Sequence, residues 1–249
     1  MKYLEVVSPG VGAQLIPMMA LIRKLEISIE FPADGQRARE VISRSKAKAT
    51  GKYPSWKLNR NVHYESLHEC NAFKLLDACP EVSYFGEQPC RIRYVMNGEP
   101  RIHYPDIMVK LPTGKELLEV KTTEEAATEE VRERTAFMQR ALPPLGYGYR
   151  ILISDLLSRN PRLNNIEELL RFGRHPVSPT MREHIRQIFK VNGNSVPLGA
   201  FRVRGQVNYR LALYRLVLEG TLKIDVNEPL SDASPICWAS ASIGGASWA

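Results

Sequence analysis

A chain of 249 residues, 44% hydrophobic and 24% charged, can bury a core of its own, and this composition excludes a disordered or fibrous protein. The formal net charge of +7 and isoelectric point near 9.3 favour an acidic partner, nucleic acid being the commonest, over a basic enzyme without one. The four cysteines (Cys70, Cys79, Cys90 and Cys237) form no Cys-x-x-Cys pair, which argues against a zinc or redox motif and suits a reducing cytoplasm.

Near the N-terminus, "QLIPMMALIRKLEI" is apolar only until Arg23 and Lys24 interrupt it. It is too short to span a membrane and lacks a small-residue cleavage signal, so a cytoplasmic chain without a membrane partner is expected. Residues 12–30 admit a short helix and a strand but show no clean period. From Arg37 to Arg60 the chain is basic and poor in large apolar residues. Residues 1–60 therefore read as a basic segment, either a solvated linker or an arm along a phosphate backbone. Tyr53 and Trp56 among its lysines favour contact, because aromatics can stack on bases, and Lys52, Lys57 and Arg60 are its candidate DNA-binding residues.

Residues 61–157 read as an α/β unit. Leu67, Ala72, Phe73 and Leu76 recur at helical spacing, predicting a helix near 64–78 that Pro80 stops. "RIRYVM" (91–96) alternates like a strand and is followed by Asn97-Gly98, a turn signal. Strands are expected at 104–111 and 115–121, antiparallel with the first and joined to each other by "PTG". "TEEAATEEVRERTAFMQRAL" predicts one helix with Thr123 as its cap, and "YRILIS" (149–154) a buried strand. The expected architecture is a mixed central sheet flanked by helices.

Beyond residue 158 the pattern changes. "NIEELLRFG", "SPTMREHIRQIFKV" and "GQVNYRLALYRLVLEG" read as helices and "TLKIDV" as a final strand, giving a mainly helical, winged-helix-like unit over 158–232. Its Arg162, Arg171, Arg174, Arg182 and Arg186 are candidates for DNA phosphates or a regulator protein; Arg174 and Arg182 are carried forward as DNA contacts. Residues 233–249, rich in Gly, Ser and Ala, read as a flexible tail.

The chemistry concentrates in "YPDIMVKLPTGKELLEVKTT". A turn centred on Thr113–Gly114 brings Asp106 beside residues 119–121 of the partner strand. Strand alternation then puts Glu119 and Lys121 on one face and Val120 on the other. Two carboxylates and an ammonium would share one sheet edge, each carboxylate raising the other's pKa until a cation relieves the repulsion. Hard carboxylate oxygens favour Mg²⁺ or Mn²⁺, ions that stabilise both oxygens of an in-line phosphodiester displacement. His68 and His103 lie near these carboxylates in sequence but read as surface or strand-edge histidines, and Gln88 as a buried residue positioning the next strand. There is no Gly-x-Ser-x-Gly elbow and no Gly-x-x-x-x-Gly-Lys phosphate loop.

Residues 60–155, through "HYESLHE", "VSYFGEQPCRIRY", "YPDIMV" and "LLEVKTT", resemble the TnsA-type endonuclease subunits of heteromeric bacterial transposases, a branch of the restriction-endonuclease-like nucleases. "NSVPLGAFRV" and "RLALYRLVLEGTLKIDV" resemble that family's C-terminal domain less sharply, and the first fifty residues resemble nothing in it. The resemblance implies a catalytic set of Glu69, Asp106, Glu119 and Lys121. It also implies two Mg²⁺ or Mn²⁺ ions, with metal held by Glu69, Asp106, Glu119 and the Val120 carbonyl. Glu65 and Glu69 compete for the place of the helix carboxylate; by resemblance, the distance back from "EQP" favours Glu69, with Glu65 as its partner.

The implied function is cleavage of the 5′ strand at transposon ends in a bacterial cytoplasm. Its implied partners are double-stranded DNA, a DDE-type transposase subunit and an AAA+ regulator. The alternatives are a stand-alone restriction- or resolvase-type nuclease and a non-catalytic DNA-binding adaptor of the same fold.

Overall fold

The computed structural model describes residues 26–33, 37–38, 49–201 and 209–239. The helix considered within 12–25, most of the basic stretch 37–48 and the tail beyond Ala239 lie outside the described residues.

The chain is mixed α/β. Strand β1 (Ser28–Glu30) is followed by a hairpin, β2 (Gly51–Ser55) and β3 (Arg60–Tyr64), and then by helix α1 (Leu67–Ala78). Strands β4 (Tyr84–Glu87), β5 (Arg91–Met96), β6 (Glu99–His103), β7 (Ile107–Leu111) and β8 (Gly114–Lys121) come next. After helices α2 (Thr123–Ala127) and α3 (Glu129–Ala141), strand β9 (Tyr147–Ile153) completes a four-stranded sheet ordered β4-β7-β8-β9. Its first two pairings are antiparallel and β8–β9 is parallel.

Four expectations need correction here. The strand at 91–96 does not join the central sheet. With β6, absent from the sequence reading, it forms a hairpin through Asn97 and Gly98, both at positive φ, and pairs with β1 in a separate three-stranded sheet. The turn between β7 and β8 is tighter than one centred on Thr113–Gly114: Leu111 pairs with Gly114, so only Pro112 and Thr113 turn the chain. The single helix expected after Lys121 is two, because Thr128 takes an extended conformation (ψ 145°) between them. The cap of the first is Thr122, not Thr123: its side chain accepts from Glu125 N–H, and the Glu125 carboxylate reaches back to Thr122 N–H.

The two faces of the central sheet carry different cores. Ile107, Val109, Leu118 and Val120 pack on Phe73 and Leu76 of α1 and on Val62 of the β2–β3 hairpin. Leu117, Met108 and Tyr149 pack on Phe137, Met138 and Ala141 of α3 and on Ile92 of β5. Successive residues of β8 therefore alternate between an α1 face and an α3 face, as pleating requires.

The hairpin 51–64 crosses the boundary expected at residue 60. It is bound to α1 through Asp77, which is fully buried and accepts bonds from Tyr53 Oη (2.7 Å), Ser55 Oγ (2.6 Å), Trp56 N (3.1 Å) and Lys57 N (3.2 Å).

Helix α4 (Ser154–Leu157) adds Leu157 to the core on the α1 face. A further core is built by α5 (Arg162–Phe172), α6 (Pro179–Asn192), α7 (Tyr209–Leu218) and strands β10 (Ser195–Pro197), β11 (Leu222–Ile224) and β12 (Pro235–Trp238). The three strands form an antiparallel sheet with β12 in the centre. Residues 235–238, expected within the tail, are thus the middle strand of this sheet: Ile236 is fully buried between Val196 and Ile224.

Candidate active site

The ladder between β7 and β8 ends at Ile107↔Leu118, and among the described residues β8 continues through Glu119–Lys121 paired only with β9. The β7-side edge of residues 119–121 is therefore open. Asp106, one residue before β7, fills it: its Oδ2 accepts the Val120 N–H at 2.7 Å, where a ladder bond would otherwise lie. Its own carbonyl accepts the Gln88 N–H at 2.7 Å, so the residue is fixed from both sides. In an extended strand the N–H and C=O of one residue leave on the same side, so the Val120 carbonyl faces this opening too.

Continuing the register by one step sets Asp106 opposite Glu119, on the α3 face of the sheet. Glu119 is 4% exposed, and its carboxylate is surrounded by donors. Oε1 receives Arg134 Nη2 from α3 at 2.8 Å and Lys121 Nζ at 3.0 Å. Oε2 receives the hydroxyl of Tyr149, and His103 Nε2 lies 3.5 Å away. Burial alone would raise the Glu119 carboxyl, but His103, the Tyr149 hydroxyl, Lys121 and Arg134 together hold it below its usual range. Burial lowers His103 to about 4 despite the Glu119 charge, so the imidazole is neutral at physiological pH. Burial also opposes the Lys121 charge, but Glu119 and Asp106 outweigh it and keep the ammonium firmly protonated.

Asp106 is the opposite case. Burial pushes its carboxyl up to about 7 against the pull of the Val120 N–H, and the charges of Glu69 and Glu119 push in the same direction. Among the described residues it has no ion pair within 4 Å. This is a carboxylate in need of a cation.

Glu69 arrives from the α1 side. Ser66 caps α1 and accepts the Glu69 N–H at 3.2 Å, because its hydroxyl supplies an acceptor that an orphan helix donor lacks. The Glu69 carboxylate turns back to accept Glu65 N–H (2.9 Å) and Ser66 Oγ (3.1 Å). Burial raises its carboxyl, which those two bonds oppose. The cap places Glu65 outside the helix expected from residue 64, so Glu65 and Glu69 do not share a helix face. Glu65 instead accepts Gln88 Nε2 (2.5 Å) and pairs with Arg37 at 3.7 Å.

The structure brings Glu69, Asp106, Glu119, Val120 and Lys121 to one end of the sheet. Sequence reasoning missed Arg134 and Tyr149 and took His103 for a strand-edge residue although it is buried, while Gln88 is buried as expected. Arg134 is one of several charges on α3, and nothing local distinguishes it. Tyr149 could have been found only from the parallel register, which sets Leu117 beside it. Gln88 sits at φ 40°, a backbone conformation unfavourable for a non-glycine residue, and this geometry directs its N–H to Asp106.

The residues proposed for DNA lie elsewhere. Lys57 Nζ donates to the carbonyls of Leu76 (3.0 Å) and Cys79 (2.5 Å) at the end of α1, and burial lowers it to about 8. Arg60 makes a two-bond pair with Glu87 (2.9 and 3.1 Å), and Arg182 another with Glu219 (2.6 and 2.9 Å). Arg174 is half-buried, its carbonyl accepting Arg215 Nη1 at 3.2 Å. Trp56, expected to stack on bases, packs into the C-terminal core with Arg215 over its ring at 4.7 Å. Lys52 is exposed on β2.

Among the described residues no three His, Cys, Asp or Glu side chains converge closely enough to hold a metal ion between them. Asp106 and Glu69 supply oxygen donors without a cation, and the Val120 carbonyl faces the same opening; Glu119 already has its cations. No helix among the described residues is long and apolar enough to cross a membrane. No model of a known protein family matches the chain, and no curated protein matches it.

Proposed function

We propose that this chain is a Mg²⁺-dependent DNA endonuclease with a restriction-endonuclease-like core, acting as the strand-cleaving subunit of a heteromeric transposase. The observation that carries the reading is the open end of the β7–β8 hairpin, where Asp106, Glu119 and Lys121 stand together and the charge of Glu69 on α1 acts on Asp106. The arrangement of α1 and α3 on opposite faces of a β4-β7-β8-β9 sheet supports the fold assignment. The order α6, β10, α7, β11, β12, with β12 central, supports a winged-helix-like C-terminal unit. Double-stranded DNA at transposon ends, a DDE-type transposase and an AAA+ regulator are the partners the sequence resemblance brings to this reading.

Mg²⁺, when bound, would neutralise charge on the scissile phosphate and activate water for in-line attack. Asp106, Glu69 and the Val120 carbonyl are the oxygen donors suited to hold it. Lys121, kept cationic by Glu119 and Asp106, stabilises the negative charge that grows on the phosphate oxygens. Asp106 is held by Val120 N–H and Gln88 N–H, so its carboxylate needs little reorganisation to act. The saturated carboxylate of Glu119 gives some support to a second reading, a non-catalytic DNA-binding adaptor of the same fold.

The test is Mg²⁺-dependent nicking of a transposon-end duplex, with and without a transposase, by wild type, Asp106→Ala and Lys121→Ala. Each variant is expected to lose activity by about 10²-fold or more. Strong cleavage by the wild type alone would favour a stand-alone nuclease. DNA binding without cleavage under any condition would favour the adaptor.

A further inference from the structure

Glu119 differs from the other two carboxylates of the site in what it already touches. Arg134 Nη2 and Lys121 Nζ lie at 2.8 and 3.0 Å from Oε1, and the Tyr149 hydroxyl donates to Oε2. Tyr149 is held in turn at 3.1 Å from His103 Nε2 and packs edge-on against that ring. Arg134 is largely buried on α3, with its other terminal nitrogen 3.8 Å from Glu130. A carboxylate offers about four acceptor positions, and here they face two cations, a hydroxyl and an imidazole. A metal ion on Glu119 would have to displace Lys121 or Arg134 and leave that cation buried beside it, a costly arrangement.

Asp106 and Glu69 carry no such burden. Asp106 accepts from one backbone N–H, and Glu69 from one N–H and one hydroxyl, all neutral donors. Among the described residues neither has an ion pair.

Resting on the nuclease reading above, we infer that Glu119 is a positioning residue that anchors Lys121, held in place by Arg134 and Tyr149. The divalent cation is then taken by Asp106, Glu69 and the Val120 carbonyl without the Glu119 side chain. This division explains why Glu119 is tied to α3 by Arg134 and to β9 by Tyr149. The ammonium of Lys121 is aimed by a fixed carboxylate instead of sharing a metal with it.

The inference is tested with Mn²⁺ alone, titrated into the full chain by calorimetry without DNA. Wild type is compared with Asp106→Asn, Glu119→Gln, Arg134→Met and Tyr149→Phe, with folding checked by circular dichroism. Asp106→Asn is expected to weaken Mn²⁺ binding about tenfold or more, while the other three stay near the wild-type affinity. On DNA, Arg134→Met and Tyr149→Phe are expected to lower kcat at unchanged KM, and Arg134→Lys to recover part of the rate.

Loss of Mn²⁺ affinity in Glu119→Gln comparable to that in Asp106→Asn overturns the inference and leaves the nuclease reading standing. If Glu119→Gln does not fold, Tyr149→Phe decides. A partner that orients a metal ligand costs about 10- to 100-fold in affinity when removed, so weakened Mn²⁺ binding in that variant also overturns the inference. A wild-type protein that binds no Mn²⁺ overturns both readings together.

Discussion

At the scale of single residues, Asp106 concentrates the electrostatic cost of the site. Its carboxyl stands near 7 in the folded chain against about 3.8 for an unperturbed aspartate. The folded state therefore holds the proton more tightly than the unfolded state. The stability linked to that proton is fully present below pH 4 and is lost as pH rises through 7. Asp106→Asn, neutral throughout and still able to accept the Val120 N–H, is expected to be more stable than wild type at pH 8, by up to about 4 kcal/mol. The gain should shrink towards pH 4, and urea unfolding of both proteins at pH 4.5, 6 and 8 measures it. Equal stability at pH 8 would mean that Asp106 carries no unrelieved charge. Saturating Mg²⁺ at pH 8 should stabilise wild type selectively, since a cation bound only by the folded state adds about 2.7 kcal/mol at a hundredfold excess over its Kd.

At the scale of elements, the attachment of the β2–β3 hairpin to α1 depends on one carboxylate. Asp77 accepts from two hydroxyls and two backbone N–H groups, while its own carbonyl takes the indole of Trp56 at 2.9 Å. Asp77→Ala leaves four donors without a partner and is expected to cost about 3–5 kcal/mol, read as a shift of the urea midpoint; Asp77→Asn should cost less because it keeps acceptor oxygen.

Little of this hairpin was legible in the sequence. Its lysines and aromatics resemble a nucleic-acid arm, and only the tertiary partner Asp77 explains why Tyr53, Ser55 and Trp56 stand together. Elements with their own punctuation were easier to read. Pro80 stops α1, Asn97-Gly98 turns β5 into β6, and the apolar runs of β8 and β9 mark strands that the structure extends by a residue or two. Helix starts were misplaced where a nearby hydroxyl did the capping: Thr122 in place of Thr123, and Ser66 inside the helix expected from residue 64. Asp106, Glu119 and Lys121 stood out because charges inside apolar strands are costly without a purpose, whereas Glu69, on α1, was named only through the family resemblance. The partners of Glu119 could not be read, because Arg134 and Tyr149 reach it through helix packing and a parallel register that no local pattern encodes.

At the scale of the whole molecule, the C-terminal core is not a separate attachment. Trp56 of the hairpin and Ala78 of α1 belong to it, and Lys74 of α1 pairs with Glu167 of α5 at 2.7 Å. Gly220 at φ 77° brings the end of α7 against Pro80, so closely that an added Cβ would lie 2.8 Å from the proline ring. The helix that carries Glu69 is thus packed on one side by the central sheet and on the other by the C-terminal helices. Removing those helices exposes Ala78 and more of Trp56 and takes away the surface that packs on α1. A chain ending at residue 157 is therefore expected to unfold at a lower urea concentration than the full chain, or not to fold cooperatively at all. The full chain should unfold in one transition whether followed by circular dichroism or by tryptophan fluorescence, because Trp56 reports on the contact between the two cores. A shortened chain with the full-length midpoint would show that the site end of α1 is held by the central sheet alone. The C-terminal helices would then be free to serve a partner without any coupling to Glu69.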